Sequence, residues 1–71
     1  MIEVDARGLS CPLPVIRVKE AIEANPGEEI RVLIDAMVTV ENVTRMAHNM
    51  GLAVDEPIEE GDDIILNLRA I

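Results

Sequence analysis

No phenylalanine, tyrosine or tryptophan occurs among the 71 residues, and there is one cysteine, Cys11, and one histidine, His48. Without aromatic rings the chain has nothing on which the bases of a single-stranded nucleic acid would stack. Basic side chains are scarce as well. Six Lys and Arg stand against 14 Asp and Glu, for a formal net charge of -8, the reverse of the basic footprint of a nucleic-acid-binding domain. The same charge is repelled by an anionic membrane surface. One thiol forms no internal disulfide, and one thiol plus one imidazole falls short of the four ligands of a structural zinc site. No apolar run approaches the ~20 residues of a spanning helix, and the first ten residues do not have the pattern of a signal peptide. These absences lead us to expect a cytoplasmic, monomeric protein with no membrane partner, no direct nucleic-acid partner, no metal and no cofactor.

What is present is aliphatic: 49% of the residues are hydrophobic and 28% charged. At this length the chain reads as one domain, residues 1–71. A domain this small buries only about 60% of the surface its unfolded chain exposes, so one core must absorb most of the Ile, Val, Leu, Ala and Met. A deep substrate cavity is not expected, and chemistry should occur at the surface.

The order of elements follows from periodicity. Ile2 to Ala6 alternates as a strand does, and Arg7-Gly8-Leu9-Ser10 reads as a loop around a glycine. From Cys11-Pro12-Leu13-Pro14 to about Asn25 the pattern is helical, with Val15, Val18, Ala21 and Ile22 on one face and Arg17, Lys19, Glu20 and Glu23 on the other. Asn25-Pro26-Gly27 ends it. Glu29 to Asp35 is a strongly apolar strand suited to a central position. Thr39 is the expected cap of a second helix, whose stripe is Val40, Val43, Met46, Ala47 and Met50 and whose stop is Gly51. Glu41, Asn42, Thr44, Arg45, His48 and Asn49 should face water. Two strands, Leu52 to about Glu59 and Ile64 to Ala70, are joined by a Glu60-Gly61-Asp62-Asp63 turn.

This βαβαββ order predicts an α+β two-layer sandwich, a four-stranded mixed sheet with two helices on one face. A right-handed first crossover makes the first two strands parallel. Asp5, Arg7, Cys11, Asp35 and Thr39 then gather at one rim, the carboxyl end of the sheet, where ligand sites of open α/β sheets usually lie.

A lone cysteine in a small domain is commonly a buried, inert hydrophobe. Cys11 has a different context, because it follows a glycine loop and precedes a helix. Free N–H groups and the macrodipole favour an anion at a helix N-terminus, and thiols there ionise more readily than the free side chain. Pro12 and Pro14 suit a first helical turn, whose N–H groups have no intrahelical partner. Since proline disfavours helical torsions in the residue before it, the regular helix begins at Pro12 or at Pro14.

The segment Asp5-Ala6-Arg7-Gly8-Leu9-Ser10-Cys11-Pro12-Leu13-Pro14-Val15 resembles the signature of the TusA/SirA family of small sulfur carriers, and the likeness spans the whole chain. Val32 to Met50, with Asp35, Glu41-Asn42-Val43 and Gly51, further resembles the N-terminal TusA-like domain of YedF-type proteins linked to selenium metabolism. The resemblance implies a fold similar to the C-terminal domain of translation initiation factor three. It also implies a role for Cys11: accepting sulfane sulfur as a persulfide from a donor such as a cysteine desulfurase or rhodanese, and passing it to a downstream acceptor protein. That is a relay component rather than a small-molecule enzyme.

Around Cys11, Arg7 either stabilises a sulfur anion or is simply solvated. Gly8 should supply a backbone shape other residues resist, and Asp5 should hold the loop through backbone N–H groups or pair with Arg7. His48 reads as a solvated surface histidine. Met37 and Val38, placed in the loop before the second helix, are either exposed or a hydrophobic staple. Leu13 and Ile16 fall away from the buried stripe and, with Leu9, form a candidate apolar collar for docking partners. Two other readings remain open at this level: a regulatory or redox-sensing protein-binding module, and a selenium-handling variant of the carrier.

Overall fold

The computed structural model describes residues 1–71. Strand β1 (Ile2–Asp5) leads through a loop to helix α1 (Leu13–Ala24), strand β2 (Ile30–Ile34) and helix α2 (Met37–Asn49). Three strands follow: β3 (Leu52–Val54), β4 (Ile58–Glu60) and β5 (Asp63–Ala70). β1 and β2 are parallel, β2 and β5 antiparallel, and β3 pairs antiparallel with β5, for the order β1-β2-β5-β3. The last strand in sequence is thus inserted between β2 and β3.

The fold class is the expected two-layer sandwich, with one more strand than the sequence suggested. The expected strand from Leu52 to Glu59 is broken in the middle. Asp55 still donates its N–H to Asn67 at 3.0 Å, but Pro57 has no N–H to give to a ladder. Pairing resumes only at Ile58, with Ile58 opposite Ile65 and Glu60 opposite Asp63. The turn then closes over Gly61, whose φ is +64°.

The core lies between the helix layer and one face of the sheet. Strict alternation along β2 and β5 sends Ile30, Val32, Ile34, Ile64, Leu66 and Leu68 inward, as period-two geometry requires. They meet Val18 and Ile22 of α1 and Val40, Val43 and Ala47 of α2. Each fully buried Val, Leu or Ile contributes about 1.5–3 kcal/mol of transfer free energy, and with no disulfide this layer is what holds the chain together. No helix is long and apolar enough to cross a membrane.

Two helix starts differ from the sequence reading. α1 begins at Leu13, one residue from either expected start, with Pro12 as its cap and a cis Cys11–Pro12 peptide. Its buried strip is Pro14, Val18 and Ile22, spaced at i, i+4. Val15 and Ala21 are only half-buried, because the helix is turned by about one residue from the expected stripe. α2 begins at Met37 and is capped by Ala36 rather than Thr39. The N–H groups of Thr39 and Val40 both reach the Ala36 carbonyl, at 3.1 and 3.3 Å, so the first turn closes three residues earlier than expected. Met37 and Val38 therefore belong to the helix, and both are exposed. Gly51, at φ +83°, ends α2 as expected, its N–H on the His48 carbonyl at 3.0 Å.

Candidate functional site

Both parallel strands end at the same edge of the sheet, and the Arg7–Pro12 segment crosses that edge on its way to α1. Three carboxylates anchor its first half. Asp5 accepts from the Arg7 backbone N–H at 3.1 Å and from Nε and Nη2 of the same residue, each at 2.9 Å. The remaining arm of the guanidinium, Nη1, donates to Asp63 Oδ2 at 2.9 Å. One residue on, the Gly8 N–H donates to Asp35 Oδ2 at 2.9 Å. Gly8 has φ +75°, and a Cβ built there would touch nothing within 4 Å, so glycine is required for its torsion and not for space.

This clamp pairs Arg7 with carboxylates, as expected from the side of Asp5, and leaves its side chain partly exposed. Asp5 and Asp63 adjoin the core residues Val4 and Ile64, so they project from the opposite, helix-free face of the sheet. Their hold on Arg7 takes its guanidinium to that face, while Cys11 lies on the helix side. Asp5 does both things expected of it: it pairs with Arg7 and it holds the loop. The Arg7 side-chain hydrogen bonds, then its backbone N–H, lower the Asp5 pKa from 3.8 to about 2. The same pairing, with Asp63 adding to it, raises the pKa of Arg7. The local sequence around Asp63 signals only a turn. Only the insertion of β5 beside β2 brings it to this edge.

Cys11 is exposed and lies in the one cavity of the molecule, a groove of about 490 Å³ between the start of α1 and the flank of α2. Pro12 and Val15 line the α1 side with it, and Met46 and Met50 line the α2 side. These two methionines, expected in the core, are half-buried at its margin and form the groove wall. Lys19 and Arg45 bring two cations, Asn42 and Asn49 two amides. A helix wheel puts all four on water-facing surfaces, because it shows each helix without its neighbour.

The helix end offers less to an anion than the sequence suggested. Pro12 and Pro14 have no N–H, and the Leu13 N–H is used by the Ser10 carbonyl at 2.9 Å. The Ile16 N–H is on the Pro12 carbonyl at 3.2 Å, which leaves the Val15 N–H as the first-turn donor with no backbone partner. Leu13 and Ile16 are exposed, as expected for a collar, at 51% and 46% of their surface. Leu9 is half-buried, packed against the core. His48 is exposed and does not line the groove, and no group of three His, Cys, Asp or Glu side chains converges as a metal site.

Residues 2–69 match the family described as sulfurtransferase TusA. The chain belongs to the TusA family. Its relatives include the sulfur carrier protein TusA of Allochromatium vinosum, 35% identical over 60 residues that cover 83% of this chain and 79% of that one. A protein of Methanocaldococcus jannaschii that bears the name of a sulfur carrier is 42% identical over 55 residues, 76% of this chain and 73% of the other. Among solved structures, a SirA-like protein from Desulfitobacterium hafniense superposes with a TM-score of 0.87 at 34% identity, covering 99% of this chain and 97% of that one. The TusA-like architecture and the TusA/SirA signature around Cys11 therefore agree.

Proposed function

We propose that this protein is a sulfur carrier in which Cys11 holds sulfane sulfur as a persulfide and relays it between two proteins in the cytoplasm, the whole chain 1–71 acting as one domain. The observation that carries this reading is the position of the only thiol: exposed, in a shallow groove at the start of α1, in a chain of the TusA family. In loading, the Cys11 thiolate attacks the outer sulfur of a donor persulfide. The donor's S–S bond breaks, its cysteine leaves as a thiolate, and Cys11 carries the S–SH group. Delivery is the same exchange with the acceptor's cysteine as nucleophile, so no external oxidant or reductant is consumed.

The neighbouring residues divide the remaining work. Asp5, Arg7 and Gly8 hold the loop, Pro12 and Pro14 set the helix start, and Leu13 and Ile16 are the apolar contacts for a donor such as a cysteine desulfurase or rhodanese, and then for the acceptor. Incubation with a cysteine desulfurase and cysteine tests the reading by intact mass. One reductant-sensitive sulfur adduct is expected on the wild type and none on Cys11→Ser. Wild-type protein that stays unmodified with several competent donors would refute it.

A further inference from the structure

The chain has 14 carboxylates and a net charge of -8, yet no Asp or Glu lines the groove that holds Cys11. Two of its six basic residues do line it, Lys19 and Arg45. Neither is spent within the protein. Arg7 and Arg69 are tied to aspartates, whereas Lys19 and Arg45 make no ion pair and donate no side-chain hydrogen bond. Two amides, Asn42 and Asn49, stand on the same lining, with half-buried Val15, Met46 and Met50 supplying apolar wall.

The size of the groove narrows the ligand. A water molecule accounts for about 30 Å³, so a small inorganic anion would leave most of the 490 Å³ unfilled. The volume lies within the range of about 300–1,000 Å³ typical of sites for organic molecules. Carboxylates would meet the two cations in charge-assisted hydrogen bonds, peptide-like amides would meet Asn42 and Asn49, and a thiol-derived sulfur would face Cys11.

We propose that this groove binds a low-molecular-weight persulfide of a carboxylate-bearing thiol, of the cysteine or cysteinyl-peptide class, and that Cys11 takes its outer sulfur directly. The carboxylates are held by Lys19 and Arg45. The Cys11 thiolate attacks the outer sulfur, the S–S bond of the small persulfide breaks, and the parent thiol leaves as a thiolate, so that electrons balance without a further reagent. This inference rests on the carrier reading and adds a small-molecule route to its protein donors.

The test compares donors that share an S–S bond and differ in charge. Glutathione persulfide and cysteine persulfide are the carboxylate-bearing probes, and cysteamine persulfide, which carries an amine and no carboxylate, is the control. Loading of Cys11 is followed by intact mass against donor concentration. For the wild type, half-saturation with glutathione persulfide should fall about tenfold below that with cysteamine persulfide, the scale of two exposed charge pairs. The double variant Lys19→Ala/Arg45→Ala should lose this preference, and Lys19→Arg/Arg45→Lys should retain it. If the cations served only the sulfur of Cys11, the double variant would slow all donors alike and the preference would survive, which overturns the proposal. Equal half-saturation for the three donors with wild-type protein overturns it too. Loading by a desulfurase alongside separates the two readings. A protein that accepts sulfur from the enzyme and shows no donor preference remains a carrier without this site, whereas one that accepts sulfur from no source is neither.

Discussion

The two charged regions near the carboxyl edge of the sheet lie on opposite faces and dispose of their charge in opposite ways. On the helix-free face Arg7 is saturated, with three of its nitrogens and its backbone N–H on Asp5 and Asp63, and Asp35 holds the next peptide. In the groove Lys19 and Arg45 have no protein partner at all. Charges that neutralise one another fix the backbone. Charges left without a partner are available to something outside the chain. Net charge alone, at -8, conceals this division, because the acidic excess lies away from the one concave surface.

The largest effect that should separate the two regions comes from Ile16→Asp. Ile16 is exposed on α1 beside the groove and has little to lose on folding, so thermal stability should stay near the wild type. A carboxylate placed in a desolvated protein contact should cost at least about 2 kcal/mol of binding, the threshold of an interface hot spot. That is roughly a 30-fold loss of sulfur transfer from a protein donor at sub-saturating concentration. Unchanged transfer would remove Ile16 from the docking surface, and gross unfolding would mean that its face is buried.

Next comes the clamp itself. Gly8→Ala forces a Cβ into a left-handed backbone conformation, which costs about 1–2 kcal/mol. For a domain of this size each kcal/mol corresponds to a melting temperature lower by about 4–8 °C. Calorimetry should therefore find Gly8→Ala clearly less stable. An unaltered melting temperature would mean that the loop has another conformation available and that the bond to Asp35 does not fix it.

Arg7→Ala should act on stability and not on the thiol. Removing the guanidinium leaves Asp5 and Asp63 facing the loop without their counter-charge, so the melting temperature should fall. Because the Arg7 side chain is paired with two carboxylates on the helix-free face, the rate at which Cys11 is alkylated at fixed neutral pH should stay within about twofold of the wild type, exposed ion pairs contributing little at a distance. A severalfold slower alkylation would return Arg7 to the thiol and erase the contrast between the two regions.

How far this division was legible in the sequence depends on what each residue needed in order to be read. Local signals carried well. The glycine loop, the Cys11-Pro12-Leu13-Pro14 start and the alternation of β2 and β5 each follow from torsion or period, and the parallel β1–β2 pair follows from the handedness of one crossover. Asp5 paired with Arg7 was readable because the two are neighbours in sequence. Asp63 was not, because its place beside Arg7 depends on β5 being inserted next to β2, a pairing with no local signature. Lys19, Asn42, Arg45 and Asn49 looked like solvated helix surface, since a wheel shows each helix alone and the groove exists only between two of them. The break at Asp55 to Pro57 has a local cause in the proline, which lacks the N–H a continuous strand from Leu52 to Glu59 would need.

The smallest effect expected is a pH dependence that belongs to the clamp. In the folded chain the hydrogen bonds from Arg7 hold the Asp5 pKa at about 2, against 3.8 for the unperturbed side chain. A carboxylate whose folded pKa is depressed stabilises the native state while it is ionised in both states, and that contribution is lost as protons bind. It is therefore complete above pH 3.8 and disappears as the pH falls from there through about 2. Denaturant titrations between pH 5 and pH 2 should show wild-type stability falling more steeply in this window than that of Asp5→Asn, which has no proton to take up at this position. Arg69 offers an internal control on the same face. It is held by Asp55 through Nε and Nη2 and is far from the loop in sequence, so Arg69→Ala should leave the difference between wild type and Asp5→Asn intact. Parallel curves for wild type and Asp5→Asn would mean that the Asp5 pair survives equally in the unfolded chain, where two residues of separation keep the partners close, and that the clamp draws its stability from Asp63 and Asp35 instead.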